Sequence, residues 1–288
     1  METKTTLAII GGSGLYSMPG LQDTHQYVID TPFGKPSAPI VVGMLENQFV
    51  AFLARHGIGH HITPTEVNYR ANIYALKSLG TERIVSISAC GSLREDYAPG
   101  HIVIPDQIFD YTNRRERSFF GAGLVAHIGV ADPFCKDLSK QTYAAAKQTN
   151  ATVHQGGTFI TVEGPRFSTR AESNAYRAWG MSIIGMTASP EAFLAREAEI
   201  CYTTMAHVTD YDVWHVSAAP VTMDMVIQTL NKNMLVVQSA IRNLTKILSA
   251  KRDCNCENAL ASALATDPAV TPAETKQKLD LLVKKYIN

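Results

Sequence analysis

The chain has 288 residues, 45% hydrophobic and 18% charged, which suits a soluble globular protein of one large domain or at most two. Lysine plus arginine and aspartate plus glutamate balance at 26 each, so no global field draws the protein to nucleic acid or to an anionic membrane, and a charged ligand has to be held by a local cluster. No stretch reaches the roughly 18 apolar residues of a membrane span, and the opening "METKTTLAIIGG" lacks the long apolar core of a secretory leader, so a cytosolic location is expected.

In chain order, short Ile/Val-rich runs alternate with helical patterns. The first predicted strands are "TLAII" (6–10), "PIVVGM" (39–44) and "FVAFLA" (49–54). "TPTE" at 63–66 offers Thr63 as N-cap, Pro64 at the first helical position and Glu66 closing a capping box, for a helix that stops near Gly80. "RIVSIS" (83–88), "HIVIP" (101–105) and "TFITV" (158–162) follow as strands, then "TRAE" at 169–172 starts a helix that ends near Gly180. "MSIIGM" (181–186), a helix start at "SPE" (189–191) and the strand "CYTTMAHV" (201–208) come next. A long amphipathic helix spans about 222–249, with Val226, Leu230, Met234, Val237, Ile241, Leu244 and Leu248 on one face. Residues 250–270 read as a connector within a single domain of residues 1–288, and "TPAE" at 271–274 caps a last helix whose apolar face holds Leu279, Leu282, Val283 and Tyr286. The alternation predicts a three-layer α/β domain with a largely parallel sheet, and such sheets bind ligands beyond the carboxyl ends of their strands.

Those ends are where the polar groups collect. "GGSG" (11–14), Arg55-His56, "ACGS" (89–92), Thr187 and "TDYD" (209–212) each follow a predicted strand. "GGSGLYS" is not a dinucleotide fingerprint, because Ser17 stands where the third glycine belongs, and no P-loop lysine follows. As a set, Ser13, Arg55, His56, Ser88 and Thr187 describe a site for free phosphate: a glycine loop with a hydroxyl, a guanidinium suited to oxyanions, and a residue just ahead of a helix N-terminus. No metal triad accompanies them. Phe167, in the turn of "TVEGPRFSTRAE", is either core or a ring that stacks on a planar ligand. Asp210 and Asp212 leave a buried-type strand as two carboxyls that lose solvation, which calls for a reason. Of the five cysteines, "CNC" at 254–256 lacks a second pair at ligand spacing, so zinc is not expected. A redox or disulfide role tied to thermal stability and an idle surface pair both stay open.

"GGSGL", "DTPFGKPS", "ARHG", "NYRANIYALK", "ACGSLRED", "VEGPRFSTRAES" and "TDYDVW", in this order from about residue 6 to 250, resemble the 5′-methylthioadenosine phosphorylases, trimeric-type members of the purine nucleoside phosphorylase family. The C-x-C tail is similar in style to thermophilic members and departs from the animal enzymes. The resemblance implies an α/β fold around a mixed, partly barrel-like central sheet, assembled as a trimer or a pair of trimers. It implies phosphorolysis of 5′-methylthioadenosine to adenine and 5-methylthioribose 1-phosphate, with phosphate as co-substrate and no cofactor or metal. By position, Ser13, Arg55, His56, Ser88, Ala89 and Thr187 resemble the phosphate site, Met186 the residue under the ribose and Phe167 the purine-stacking ring. Asp210 and Asp212 resemble the base readers, and Val221, Met223 and Val226 the apolar wall around the 5′ group. His127 resembles a contribution from the neighbouring subunit.

Adenine offers N7 as an acceptor and its 6-amino group as a donor. A protonated Asp210, its pKa raised by desolvation, can give to N7 and accept from the amine, with Asp212 aiding the amine contact. Phosphorylases that prefer 6-oxopurines carry asparagine at the position of Asp210 and glutamate at that of Ser168, so both departures point to a 6-aminopurine. Three other readings compete: a phosphorylase of broad or 6-oxopurine selectivity, a nucleoside hydrolase using water, and a binding protein without turnover.

Overall fold

The computed structural model describes residues 5–12, 18–215 and 222–287, with the side chains at 225, 226 and 230–232 outside that description. Among the described residues, eleven strands make one mixed sheet that does not close. They are β1 (Leu7–Gly11), β2 (Gln22–Tyr27), β3 (Ile40–Leu45), β4 (Gln48–Ala54), β5 (Arg83–Ser92), β6 (Ile102–Ile104), β7 (Gln107–Tyr111), β8 (Val153–Gln155), β9 (Thr158–Val162), β10 (Ile183–Gly185) and β11 (Cys201–Asp210). The helices are α1 (Tyr69–Ser78), α2 (Lys136–Lys147), α3 (Arg170–Ala178), α4 (Ala188–Glu197), α5 (Met223–Ile247) and α6 (Ala273–Val283).

Alternation of side chains along β1 builds the layers. Leu7 and Ile9 join Val85, Ile87 and Met205 under Leu138, Ala145 and Ala146 of α2 and Val237, Ile241 and Leu244 of α5. Ala8 and Ile10 point the other way, joining Ile84 and Tyr202 under Ile73 and Leu76 of α1, Leu194 of α4 and Leu279 and Leu282 of α6. A strand covered on both faces reads as a continuous apolar run, as "LAII" does.

The sheet is mixed rather than largely parallel. Six strand pairs are parallel (β1–β4, β1–β5, β5–β11, β6–β8, β7–β9, β9–β10) and four antiparallel (β2–β3, β3–β4, β5–β10, β6–β11). β3 and β4 are joined by Glu46 and Asn47 at φ 48° and 63°, a two-residue turn that permits only an antiparallel pair. The order runs β2-β3-β4-β1-β5-β10-β9-β7, with β11 on the other edge of β5, then β6 and β8.

Strand β5 is the hinge of the design. β11 follows one edge of it from Arg83 to Gly91. Its other edge pairs β1 only as far as Ser86 and is taken up by β10 at Gly91 and Ser92. Between them, among the described residues, no strand neighbours Ile87, Ser88, Ala89 and Cys90 on that side, and the sheet opens there.

Three strands and one helix were not anticipated. β2, "QDTHQY", is exposed at five of six positions; it pairs β3 alone, and an edge strand needs backbone partners more than apolar side chains. β7 and β8 are only five and three residues long, and two of the three residues of β8 are polar. α2 buries Leu138, Thr142, Ala145 and Ala146, a helical stripe made mostly of small residues that gives little periodic signal. The capping box at Thr169 and Glu172 forms as predicted. At 63–66 the Thr63–Glu66 bonds form but hold only a turn. The helix waits for Asn68, whose side chain accepts from the Ala71 N–H and also donates to the Phe33 carbonyl.

Candidate active site

The opening along β5 is the floor of a cavity of about 610 Å³. Gly12 after β1, Arg55 and His56 after β4, residues 87–91 of β5, Val162 of β9, Gly185–Thr187 at the end of β10 and Thr209–Asp210 of β11 all line it. These are carboxyl ends of strands, the place where a sheet of this kind receives a ligand. The first turns of α5 cover the rest: Met223 and Ile227 line the cavity while remaining about half exposed, and further along the helix Val237, Ile241 and Leu244 sink into the core.

At one end stand Asp210 and Asp212, 8% and 6% exposed. Gly91 makes room for the first, since a Cβ there would lie 2.8 Å from Asp210 Oδ1. Asp212 adopts φ 50°, and its N–H donates to Asp210 Oδ1 at 2.7 Å. Trp214 Nε1 donates to the Ser92 carbonyl at 2.7 Å and pins this loop to the end of β5. Thr209 Oγ1 lies 2.7 Å from Asp210 Oδ2 and 3.2 Å from the Cys90 carbonyl. A hydroxyl has one proton, and a carbonyl can only accept. It therefore serves one of these acceptors at a time, and the shorter contact is its donation to the carboxyl. Burial pushes the pKa of Asp210 up, against the Thr209 and Asp212 hydrogen bonds that favour the charged form, as the desolvation argument requires. Asp212 is also raised by burial, with Ser173 and Ser168 close enough to soften the shift. Its Oδ2 nevertheless makes no hydrogen bond of normal geometry, a buried acceptor facing the need for a donor.

At the other end the polar groups are arranged differently from the simple oxyanion grip. Arg55 is 2% exposed, and its fork goes to Glu191, at 2.7 Å from Nε and 2.9 Å from Nη2. Nη2 also donates to Ser86 Oγ at 2.6 Å and Nη1 to the Ile87 carbonyl at 3.1 Å, which leaves one Nη1–H of the five guanidinium hydrogens. Burial alone would lower the Arg55 pKa, but Glu191 holds it above its usual value, so the cation persists. His56 Nδ1 donates to the Ile62 carbonyl at 2.9 Å. Burial, then Arg55, brings its pKa down to about 4, so it is neutral and offers Nε2 as an acceptor. Such a group suits the P–OH of a hydrogen phosphate or a sugar hydroxyl better than a bare anionic oxygen. Ser88 Oγ and Thr187 Oγ1 lie 2.8 Å apart, two hydroxyls at the broken edge of β5 and the start of α4.

Phe167 and Met186 face the cavity between these ends. Gly164, at φ 68°, allows the close approach of Met186, whose sulfur would stand 2.5 Å from a Cβ. Behind this wall Arg115 donates to the carbonyls of Met186 (2.7 Å), Ser189 (2.6 Å) and Glu163 (2.8 Å) and ion-pairs with the Glu163 carboxylate at 3.1 Å. It ties the ends of β9 and β10 to the start of α4.

A family profile described as the phosphorylase superfamily matches residues 6–250. The chain belongs to the phosphorylase superfamily. The S-methyl-5′-thioadenosine phosphorylase of Geobacter sulfurreducens is 56% identical to it over 98% of this chain and 99% of that protein. A methylthioadenosine phosphorylase from an antarctic soil metagenomic library has a crystal structure that superposes with a TM-score of 0.93 at 47% identity, over 98% and 99% of the two chains. The methylthioadenosine phosphorylase of Schistosoma mansoni in complex with adenine superposes with a TM-score of 0.85 at 36% identity, over 90% and 99%.

In this superfamily member, Arg55, His56, Ser88, Ala89, Phe167, Met186, Thr187, Asp210, Asp212 and Met223 are brought together around one cavity. Ser13, Val221 and the side chain of Val226 lie outside the described residues. His127 is exposed on a loop that does not line the cavity of its own chain. Glu191 and Arg115 were missed from sequence. Their partners lie 136 residues away for the Glu191–Arg55 pair and 71 for Arg115–Met186, so no local pattern marks them. Ile227 was findable, as it stands one position after Val226 on the same helix.

Proposed function

We propose that the cavity binds 5′-methylthioadenosine and inorganic phosphate side by side and carries out phosphorolysis, releasing adenine and 5-methylthioribose 1-phosphate. The observation that carries this is the opposition of two ends: buried carboxyls with raised pKa at Asp210 and Asp212, and the Arg55, Ser88 and Thr187 donors across the opened edge of β5. As the C1′–N9 bond breaks, the sugar gains cationic character and the purine gains electrons. A phosphate oxygen forms the new bond to C1′, and Asp210 passes its proton to N7 so that adenine leaves neutral. Both interactions act on charge that appears only in the transition state. The unpartnered Oδ2 of Asp212 accepts from the 6-amino group.

In this reading Ser88, the Ala89 backbone, Thr187, Ser13 and the remaining Arg55 N–H hold phosphate, with His56 accepting its P–OH proton. Met186 lies under the ribose. The 5′-methylthio group meets Met223, Val221, Val226 and Ile227. A methyl-sized apolar contact discriminates only about 10–200-fold, so adenosine is a slower substrate rather than an excluded one. The reaction needs no cofactor. Relatives named for this activity along nearly their whole length support the substrate class. The protein would work in the cytosol as a trimer or a pair of trimers, with His127 completing the site of a neighbouring subunit. No helix among the described residues is long and apolar enough to cross a membrane.

The deciding experiment is a spectrophotometric assay of 5′-methylthioadenosine cleavage with and without phosphate. Adenine release is expected to require phosphate, and equal rates in its absence would make the protein a hydrolase. Phe167→Ala is expected to raise the KM for nucleoside by about 5–150-fold, the equivalent of ~1–3 kcal/mol of base stacking, with the KM for phosphate held within a small factor. An unchanged nucleoside KM would return Phe167 to the role of wall packing.

A further inference from the structure

At the far end of β11 from Asp210, four cysteines converge. Their Sγ atoms all lie within 4.8 Å of one another. Cys135 is the N-cap of α2, Cys201 opens β11, and Cys254 and Cys256 come from the segment before α6. Cys135, Cys201 and Cys256 are no more than 6% exposed and Cys254 is half-buried, so the "CNC" pair is not an idle surface feature. The second pair that the sequence spacing lacked is supplied by residues 53 and 119 positions before Cys254, counting 254 − 201 and 254 − 135.

We propose that Cys135, Cys201, Cys254 and Cys256 bind one zinc ion as a tetrathiolate site with a structural role. Zinc–sulfur bonds of about 2.3 Å at tetrahedral angles place the sulfurs about 3.8 Å apart. The cluster brackets that value, with one pair, Cys201 and Cys254, at 3.4 Å and every pair within 4.8 Å. Disulfides need sulfurs close in pairs; four sulfurs that are all mutual neighbours make a coordination polyhedron. Binding is balanced as one Zn²⁺ replacing four thiol protons, which leaves a complex of charge −2. The surroundings match that charge. Arg196 Nη1 donates to Cys256 Sγ at 3.5 Å, and the Arg252 guanidinium stands beside Cys201 while also pairing with Glu257. The Leu138 N–H, in the first turn of α2, donates to Cys135 Sγ at 3.5 Å.

The ion would fasten the 250–270 segment to the start of α2 and of β11. That segment also holds the His127 loop, through His127 N–H to the Ala263 carbonyl at 2.8 Å and Ala265 N–H to the Val125 carbonyl at 2.9 Å. β11 has ten residues, so its two ends are about 30 Å apart, too far for the ion to take part in the reaction.

The test is made on the whole protein, purified with a non-thiol, non-chelating reductant and reconstituted with zinc alone. Elemental analysis should find about one zinc per chain, released as a mercurial titrates about four thiols. Cobalt(II) in its place should show the visible bands of a tetrahedral sulfur site. Cys254→Ser, at the most accessible of the four positions, should lose the zinc and lower Tm by about 5–15 °C, with phosphorolysis at 25 °C within about twofold of the parent. Cys256→Ser serves the same purpose should the first variant express poorly. Three results would each overturn the proposal: reduced protein that takes up no zinc, an intact mass lighter by two hydrogens for each disulfide, or zinc retained unchanged in both serine variants.

Discussion

Asp210→Asn is expected to lower kcat for 5′-methylthioadenosine by about 10²–10⁴-fold, the usual worth of a positioned general acid, while leaving the KM for the nucleoside nearly unchanged. The asparagine can keep its Oδ1 on the Asp212 N–H, and its amide can face Thr209, whose hydroxyl reverses to accept. It can also hydrogen-bond N7. It cannot deliver a proton there, so the loss falls on the transition state. On inosine the same variant should lose much less, because an amide donor suits a 6-oxopurine. Equal losses on the two substrates would contradict the assignment. The pH dependence has a definite sign. Burial raises the pKa of Asp210 in the folded protein, so the acid form needed for catalysis is lost as pH rises through that raised value, and activity should fall on the alkaline side. The same shift means that the carboxyl's contribution to stability is fully present below its unfolded pKa of about 3.9 and is lost as pH rises through the folded value. At neutral pH the variant should therefore unfold at the same temperature as the parent or higher, which separates loss of chemistry from loss of fold.

Glu191→Ala is expected to cost about 3–5 kcal/mol of stability, because it strands the Arg55 guanidinium in a site with 2% exposure. At this chain length that corresponds to a fall in Tm of about 2–4 °C for each kcal/mol. The Tyr202 hydroxyl, which donates to Glu191 Oε1 at 2.9 Å, would lose its partner as well. Replacing the pair together, as Arg55→Met with Glu191→Leu, should recover much of the loss, since a buried ion pair is often no more stabilising than apolar side chains of similar size. Phosphorolysis should remain impaired in the double variant, with the larger change in the phosphate KM, because the Arg55 guanidinium that lines the cavity is gone. Thermal unfolding and phosphate kinetics on the single and double variants check both halves. A Glu191→Ala protein as stable as the parent would show that Arg55 does not depend on this pair.

What could be read from sequence was what depends on neighbours along the chain. Buried strands announce themselves as Ile/Val runs, the Thr169–Glu172 box closes over three residues, and α5 declares its apolar stripe at helical spacing. Polar residues at the carboxyl ends of those strands pointed to the cavity they line, because carboxylates, imidazole and guanidinium are costly groups with which to end a core strand. Tertiary structure alone decided the rest. It set where β5 changes partners, which opens the cavity between Ser86 and Gly91. It gave the Arg55 fork to Glu191 instead of to a ligand, made Arg115 the tie between three chain ends, and gathered four cysteines that are remote in sequence. Edge strands such as β2 belong there too, since their stability lies in backbone bonds to another strand rather than in their own side chains. Local pattern reports what a residue is able to do; whom it meets is chosen by the packing of segments far apart in the chain, where the whole core, and not any one stretch of it, sets the energy.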